Sequence, residues 1–137
     1  MPQQKSLVLI LARGLADELA SAMFVVDREG RLAYFNEAAE AILGIPFADV
    51  GEVSADEWLS AFVPVDEHGS PIPTSDLPLM VALTDHIPAH KAIRVKRTDG
   101  RINDIEVTAF PLFARREELV GAVAIFWENG TSAMKES

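Results

Sequence analysis

Residues 22–44, AMFVVDREGRLAYFNEAAEAILG, constrain the fold more than any other stretch, because each junction carries the residue type that its geometry demands. Residues 23–26 form an apolar run of strand length. Asp27-Arg28-Glu29-Gly30 is a turn whose glycine supplies a positive φ. Residues 31–35 return as a second strand. Asn36 then caps a helix, its side-chain oxygen accepting from an orphan backbone N–H of the first turn, an interaction worth about 1 kcal/mol over alanine. The helix Glu37–Leu43 closes on Gly44, the residue that most cheaply adopts the left-handed conformation past a helix end.

Helices flank this unit on both sides. Leu7, Leu11, Leu15 and Leu19 recur every four residues and predict a helix over residues 6–20, weakened at Gly14 by about 1 kcal/mol. Leu9 and Ile10 fall off that stripe, so its first turns are apolar on more than one side. After the break at Ile45-Pro46, residues 49–54 read as a loop. Residues 55–62 read as a short helix with Trp58, Leu59 and Phe62 at i, i+1 and i+4. Residues 63–74 are dense in proline, glycine and charge and read as an irregular connection. A further short helix is predicted over residues 76–85, with Asp76 favoured by the helix dipole and Pro78 tolerated in the first turn. His86-Ile87-Pro88 ends it.

Three strands follow. In residues 92–96, Ile93 and Val95 share one face and Arg94 and Lys96 the other. Asp99-Gly100 marks a hairpin turn. Residues 102–113 return, with Pro111 inside, and a turn at 115–118 leads to a last strand over 119–127. There Gly121, Val123, Ile125 and Trp127 face one way, and Val120, Ala122, Ala124 and Phe126 the other. Both faces are apolar, as in a central strand covered on each side. We assign the face of Ile125 and Trp127 to the interior and leave that of Val120, Ala122, Ala124 and Phe126 as the outer one. The tally is five strands with helices between the second and third.

Composition narrows the function. At 137 residues and 49% hydrophobic, the chain is expected to form one globular domain. Its net charge of −9 argues against nucleic acid and anionic membrane surfaces as partners. There is no cysteine, so disulfides, thiolate metal sites and thiol nucleophiles are excluded. Lys5 and the apolar residues 7–12 resemble a signal peptide. Their apolar core is too short, however, and Arg13, Asp17 and Glu18 interrupt the approach to a cleavage site. No stretch approaches the ~20 apolar residues of a membrane span. A cytoplasmic location is expected.

The opening segment resembles the start of a PAS domain, a sensory and signalling module, and the similarity extends in order to about residue 128. Gly69-Ser70-Pro71-Ile72-Pro73 followed by Asp76-Leu77-Pro78-Leu79 resembles a variant common in bacterial sensors, and Asp99-Gly100 with residues 121–126 matches the family's final hairpins. The resemblance implies an α+β fold: a five-stranded antiparallel sheet with short helices on one face. It divides the chain into an N-terminal helix at 1–21, the PAS domain at 22–128 and a polar tail at 129–137. Many linked members end in Asp-x-Thr. This chain has Glu128-Asn129-Gly130-Thr131 there, so it acts alone or is a piece of a larger sensor, such as a histidine kinase or a transcription regulator.

The resemblance also implies a cavity between sheet and helices. From the strand pattern its lining is expected to include Leu83, Ile93, Val95, Ile105, Val107, Ile125 and Trp127, with Tyr34 and Trp127 offering polar contacts. Haem-binding relatives carry an axial histidine on the helix before the third strand, where His86 lies. The competing reading is a solvated histidine at a helix end. Non-covalent flavin has no supporting motif, and a cysteine-linked chromophore is excluded. His68 and His90 lack metal-ligand spacing. Asp104 and Glu106 share a strand face and are expected to form cross-strand ion pairs rather than a catalytic carboxylate pair. No nucleophile or phosphate-loop motif points to an enzyme. The expectation is a signalling domain that binds a small molecule or a downstream signalling protein as part of a two-component or transcriptional system. It would form a homodimer through Leu7, Leu11, Leu15 and Leu19. The alternative is a ligand-free interaction scaffold on the same fold.

Overall fold

The computed structural model of the protein describes residues 21–96, 100–115 and 118–128. The expected helix over residues 6–20, the tip of the 98–101 hairpin, part of the 115–118 turn and the tail from 129 lie outside them. The described elements run β1 (Ala22–Asp27), β2 (Leu32–Phe35), α1 (Glu37–Leu43), α2 (Phe47–Val50), α3 (Ala55–Ala61), β3 (Pro64–Val65), a 3-10 turn (Thr74–Asp76), α4 (Pro78–Asp85), β4 (Ala89–Lys96), β5 (Ile102–Arg115) and β6 (Glu118–Glu128). The sheet is antiparallel in the order β2-β1-β6-β5-β4-β3. The first and last long strands thus meet at its centre.

The five expected strands are all present. The sixth, β3, is two residues long and exists only through its pairing with β4, Pro64 opposite Val95 and Val65 opposite Arg94. A short helix, α2, occupies part of the segment read as a loop. The helix expected from Asp76 starts at Pro78, because the preceding residues tighten into the 3-10 turn.

Local chemistry explains the first unit. Asp27 Oδ1 accepts from the N–H groups of Glu29 and Arg31 at 3.0 Å each, closing the turn over Gly30, whose φ is 84°. Asn36 Oδ1 accepts from Ala39 N at 3.0 Å, and Gly44 ends α1 in the left-handed region at φ 83°.

The longer helices among the described residues pack on one face of the sheet. Ala39 and Leu43 of α1, Trp58 of α3, and Leu79 and Ala82 of α4 share a buried cluster with Phe24 and Val26 of β1, Ile105, Val107 and Ala109 of β5, and Ala122, Ala124 and Phe126 of β6. Each large side chain so buried contributes about 1.5–3 kcal/mol. Met23, Val25 and Val123 form a separate buried cluster on the opposite face, flanked by Ala33, Tyr34, Phe110, Leu112 and Ile125.

This corrects the sequence assignment of the two faces of the last strand. The alternation along β6 holds, but Ala122, Ala124 and Phe126 face the helices, whereas Val123 and Ile125 lie on the outer side. The reason is steric. Ala109 lies directly opposite Ala124, and Ala82 of α4 is buried in the same cluster, so small side chains let helix and sheet approach.

The start of α3 carries a reciprocal cap. Ser54 N donates to Glu57 Oε1 at 2.9 Å, and Glu57 N donates to Ser54 Oγ at 3.3 Å. The backbone bond from Ser54, then its hydroxyl, hold the Glu57 carboxyl below the ordinary glutamate range, with help from Arg31. A carboxylate whose pKa is depressed by folding stabilises the fold above its ordinary pKa, and that contribution is lost as pH falls through the lowered value. Glu57→Gln is therefore expected to lower the urea midpoint at neutral pH. The gap to wild type should close on acidification below the ordinary carboxylate range. Parallel curves in urea titrations across pH would refute this role.

Candidate functional site

Between the sheet and the helices lies a cavity of about 80 Å³, not sealed from solvent. Its sheet wall is built from Phe24 of β1, Ile93 and Val95 of β4, Ile105 and Val107 of β5, and Ala124 and Phe126 of β6. Period-two alternation puts these residues on one face, and the register aligns them across strands: Phe24 opposite Ala124, Ile93 opposite Ile105, Val107 opposite Phe126. The helical wall comes from Leu43, Trp58, Phe62 and Leu79, with Pro64, Leu77 and Pro78 alongside.

One of these rings, Phe24, packs against two others. Phe24 meets Trp58 edge-on with ring centres 5.0 Å apart, and Phe62 at 6.3 Å in a similar attitude. The indole N–H of Trp58 donates to Gly30 O at 2.8 Å in a buried bond. The β1–β2 turn and α3 are thereby tied together, and the one polar side-chain atom among the lining residues is satisfied.

The residues anticipated from sequence divide into two groups. Ile93, Val95, Ile105 and Val107 converge on the cavity. Leu83 belongs to the margin of the main core, its Cδ1 lying 3.8 Å from where a Cβ on Gly30 would sit, and does not line the cavity. Tyr34 and Ile125 lie on the outer face, Tyr34 packing edge-on against Phe47 at 5.2 Å. Trp127 is 44% exposed and leans over the His90 ring at 6.1 Å. The inversion of the β6 faces accounts for Ile125 and Trp127. Leu7, Leu11, Leu15 and Leu19 lie outside the described residues.

Sequence reasoning missed Phe24, Leu43, Trp58, Phe62, Leu77, Leu79, Ala124 and Phe126. The i, i+4 pair of Trp58 and Phe62 was visible, but nothing local says that this stripe overlies the sheet.

The residues present do not fit a haem. His86 caps α4 in the left-handed region at φ 61°, is exposed, and turns its ring toward Phe113 at 6.1 Å instead of lining the cavity. A cavity of about 80 Å³ is also small beside the ~300–1,000 Å³ of drug-sized ligand pockets. Among the described residues no cluster of three or more histidine or carboxylate side chains is placed to hold a metal ion.

The outer face of β4 and of the β5 stretch paired with it is polar. Arg94 Nε lies 2.9 Å from Asp104 Oδ1, and His90 bridges Glu106 Oε1 at 2.8 Å and Thr108 Oγ1 at 2.7 Å. The two carboxylates thus have separate cross-strand partners, as their strand positions suggested, and such exposed pairs stabilise by at most about 1 kcal/mol.

An antiparallel sheet whose first and last long strands meet at its centre, with helices on one face and an apolar cavity beneath them, defines a class of small α+β domains. The PAS domain family profile matches residues 20–131, and the chain belongs to that family. No curated protein sequence matches it. Solved structures with the same fold include the PAS domain of Bordetella pertussis BvgS, at 20% identity and TM-score 0.60, covering 94% of this chain and 98% of that one. The Rhodobacter sphaeroides LOV protein superposes with TM-score 0.70 at 16% identity, over 94% of this chain and 71% of that one. The LOV domain of the Erythrobacter litoralis EL346 blue-light activated histidine kinase gives TM-score 0.62 at 18% identity, over 80% of this chain and 96% of that one. No helix among the described residues is long and apolar enough to cross a membrane.

Proposed function

We propose that this PAS domain is a sensory signalling module in which occupancy of the cavity beneath α4 biases how two copies of the chain pair, and thereby what a downstream signalling protein encounters. The observation that carries the reading is the cavity, walled on one side by Ile93, Val95, Ile105 and Val107 and on the other by α3 and α4. A void of this kind lowers the stability of a fold that had no use for it, since apolar cavities cost roughly 20–30 cal/mol per Å³. The similarity to domains of a histidine kinase supports a place in bacterial signal transduction.

Dimerisation is assigned to residues 6–20. Leu7, Leu11, Leu15 and Leu19 supply one apolar stripe, and Leu9 and Ile10 supply more apolar surface than a single contact uses. In this reading the helix covers the outer sheet face around Val25 and Val123, and its excess apolar side meets a second copy about a two-fold axis.

Light scattering tests the proposal. Leu7→Glu with Leu11→Glu is expected to convert dimers to monomers, weakening association by about a hundredfold or more, because a charge in an apolar seam stays uncompensated. A small molecule that raises Tm should also change the dimer dissociation constant of the wild type. An undisturbed dimer in the folded double variant places the seam elsewhere. Binding that leaves the dimer equilibrium untouched removes dimer geometry as the output. If no small molecule binds, the domain is a ligand-free interaction scaffold.

A further inference from the structure

The walls of the cavity specify the chemistry of what enters it. Among the described residues its side chains are aliphatic or aromatic, and the single polar atom they carry, the Trp58 indole N–H, is committed to Gly30 O at 2.8 Å. The backbone of β5 is spent as well, since the strand is laddered on both sides, through Ile105 to Ile93 and through Val107 to Phe126. At α4 the first helical residue is Pro78, which has no N–H to offer. A hydroxyl or carboxylate entering this space therefore leaves its water partners and meets no side-chain replacement among the described residues. Water itself gains little there, since a buried water needs two to four polar partners, and apolar voids stay dry.

Resting on the reading of this cavity as the sensory site, we propose that it takes a small uncharged molecule recognised without any hydrogen bond, of hydrocarbon character and about six heavy atoms or fewer. The size follows from the volume: about 80 Å³ is roughly half the ~150 Å³ of an apolar cavity known to hold benzene or xenon, so a six-membered ring is the upper limit and fits with one edge in the mouth that the cavity leaves open to solvent. The rings of Trp58 and Phe62, each edge-on to Phe24, favour a flat unsaturated ligand, whose ring meets theirs in the offset and edge-to-face arrangements that aromatic quadrupoles prefer.

The probes are benzene, phenol and benzoate, added to the full chain and followed by the Trp58 indole resonance and by Tm. Benzene is expected to bind saturably, shift the indole signal and raise Tm by about 3–5 °C at tenfold excess over its Kd. Phenol should bind at least tenfold more weakly, and benzoate not measurably. Val107→Phe, which fills the cavity, should abolish the benzene response, and the milder Ala124→Val should weaken it if the first variant does not fold. Phenol or benzoate binding as tightly as benzene, and blocked by the same fillers, overturns the ligand class but leaves the sensory cavity standing. Benzene binding that survives both fillers, or no binding by any probe, overturns the proposal, and the second result removes the cavity reading with it.

Discussion

Gly121→Ala is expected to destabilise the domain by about 3 kcal/mol or more, and to lower Tm by about 10 °C or more. Gly121 lies opposite Asp27 where β6 crosses β1 at the centre of the sheet. A Cβ built there would meet the carbonyl oxygen of Val26, and the Val26 carbonyl carbon and Asp27 Cα at 3.2 Å each. These are backbone atoms, so no rotamer change relieves the overlap. The strand must shift, and the ladder between Val26, Asp27 and β6 loosens with it. Because β1 also carries β2 and supports Phe24, the disturbance reaches the cavity. Urea and thermal melts of the variant measure the loss. A Tm within 2–3 °C of wild type would show that the strands tolerate the extra methyl.

Asn36→Ala should cost about 3–4 kcal/mol, well beyond an ordinary cap. Asn36 is a buried polar residue, 2% exposed. Its Oδ1 accepts from Ala39 N and from Met23 N at 3.0 Å each, and its Nδ2 donates to Ser21 O at 2.8 Å. One side chain thus caps α1 and fastens the start of β1. Alanine removes the cap and strands a buried N–H and a carbonyl, each about 1–3 kcal/mol. Asn36→Asp keeps the acceptor but turns an oxygen toward the Ser21 carbonyl, and its stability should fall between the two. If the alanine variant loses only the ~1 kcal/mol of a surface cap, the tie to β1 is energetically idle.

Those two residues show how unevenly the sequence disclosed its structure. Asn36 was legible as a cap because capping is settled within four residues, and Glu37–Leu43 follows from Asn36 and Gly44 alone. Its hold on Met23 and Ser21 was not, since that depends on β1 passing beside the helix start. Gly121 was seen only as one position in an alternating strand. Nothing near it in the chain announces that Val26 lies against its Cα.

The cavity divides the same way. Alternation put Ile93 with Val95 and Ile105 with Val107, and register then brought the two pairs onto one wall. For β6 alternation sorted the residues correctly into two sets but could not say which set faced the helices. Ile125 and Trp127 were assigned to the lining, yet α4 needed the room that Ala109, Ala122 and Ala124 leave. β3 carried no periodic signal, because two residues become a strand only when β4 is beside them.

By itself, then, the sequence determined what is local or periodic: the turn over Gly30, the caps of α1, the run of strands, the absence of cysteine chemistry and the family. Tertiary structure alone decided which face of the central strand became interior, where Trp58 and Phe62 meet Phe24, and that His86 points away from the cavity. The physical reason is range. Capping, turn geometry and alternation are fixed by neighbours a few bonds away, whereas a cavity is what remains between surfaces brought together from distant parts of the chain, and its shape depends on all of them at once.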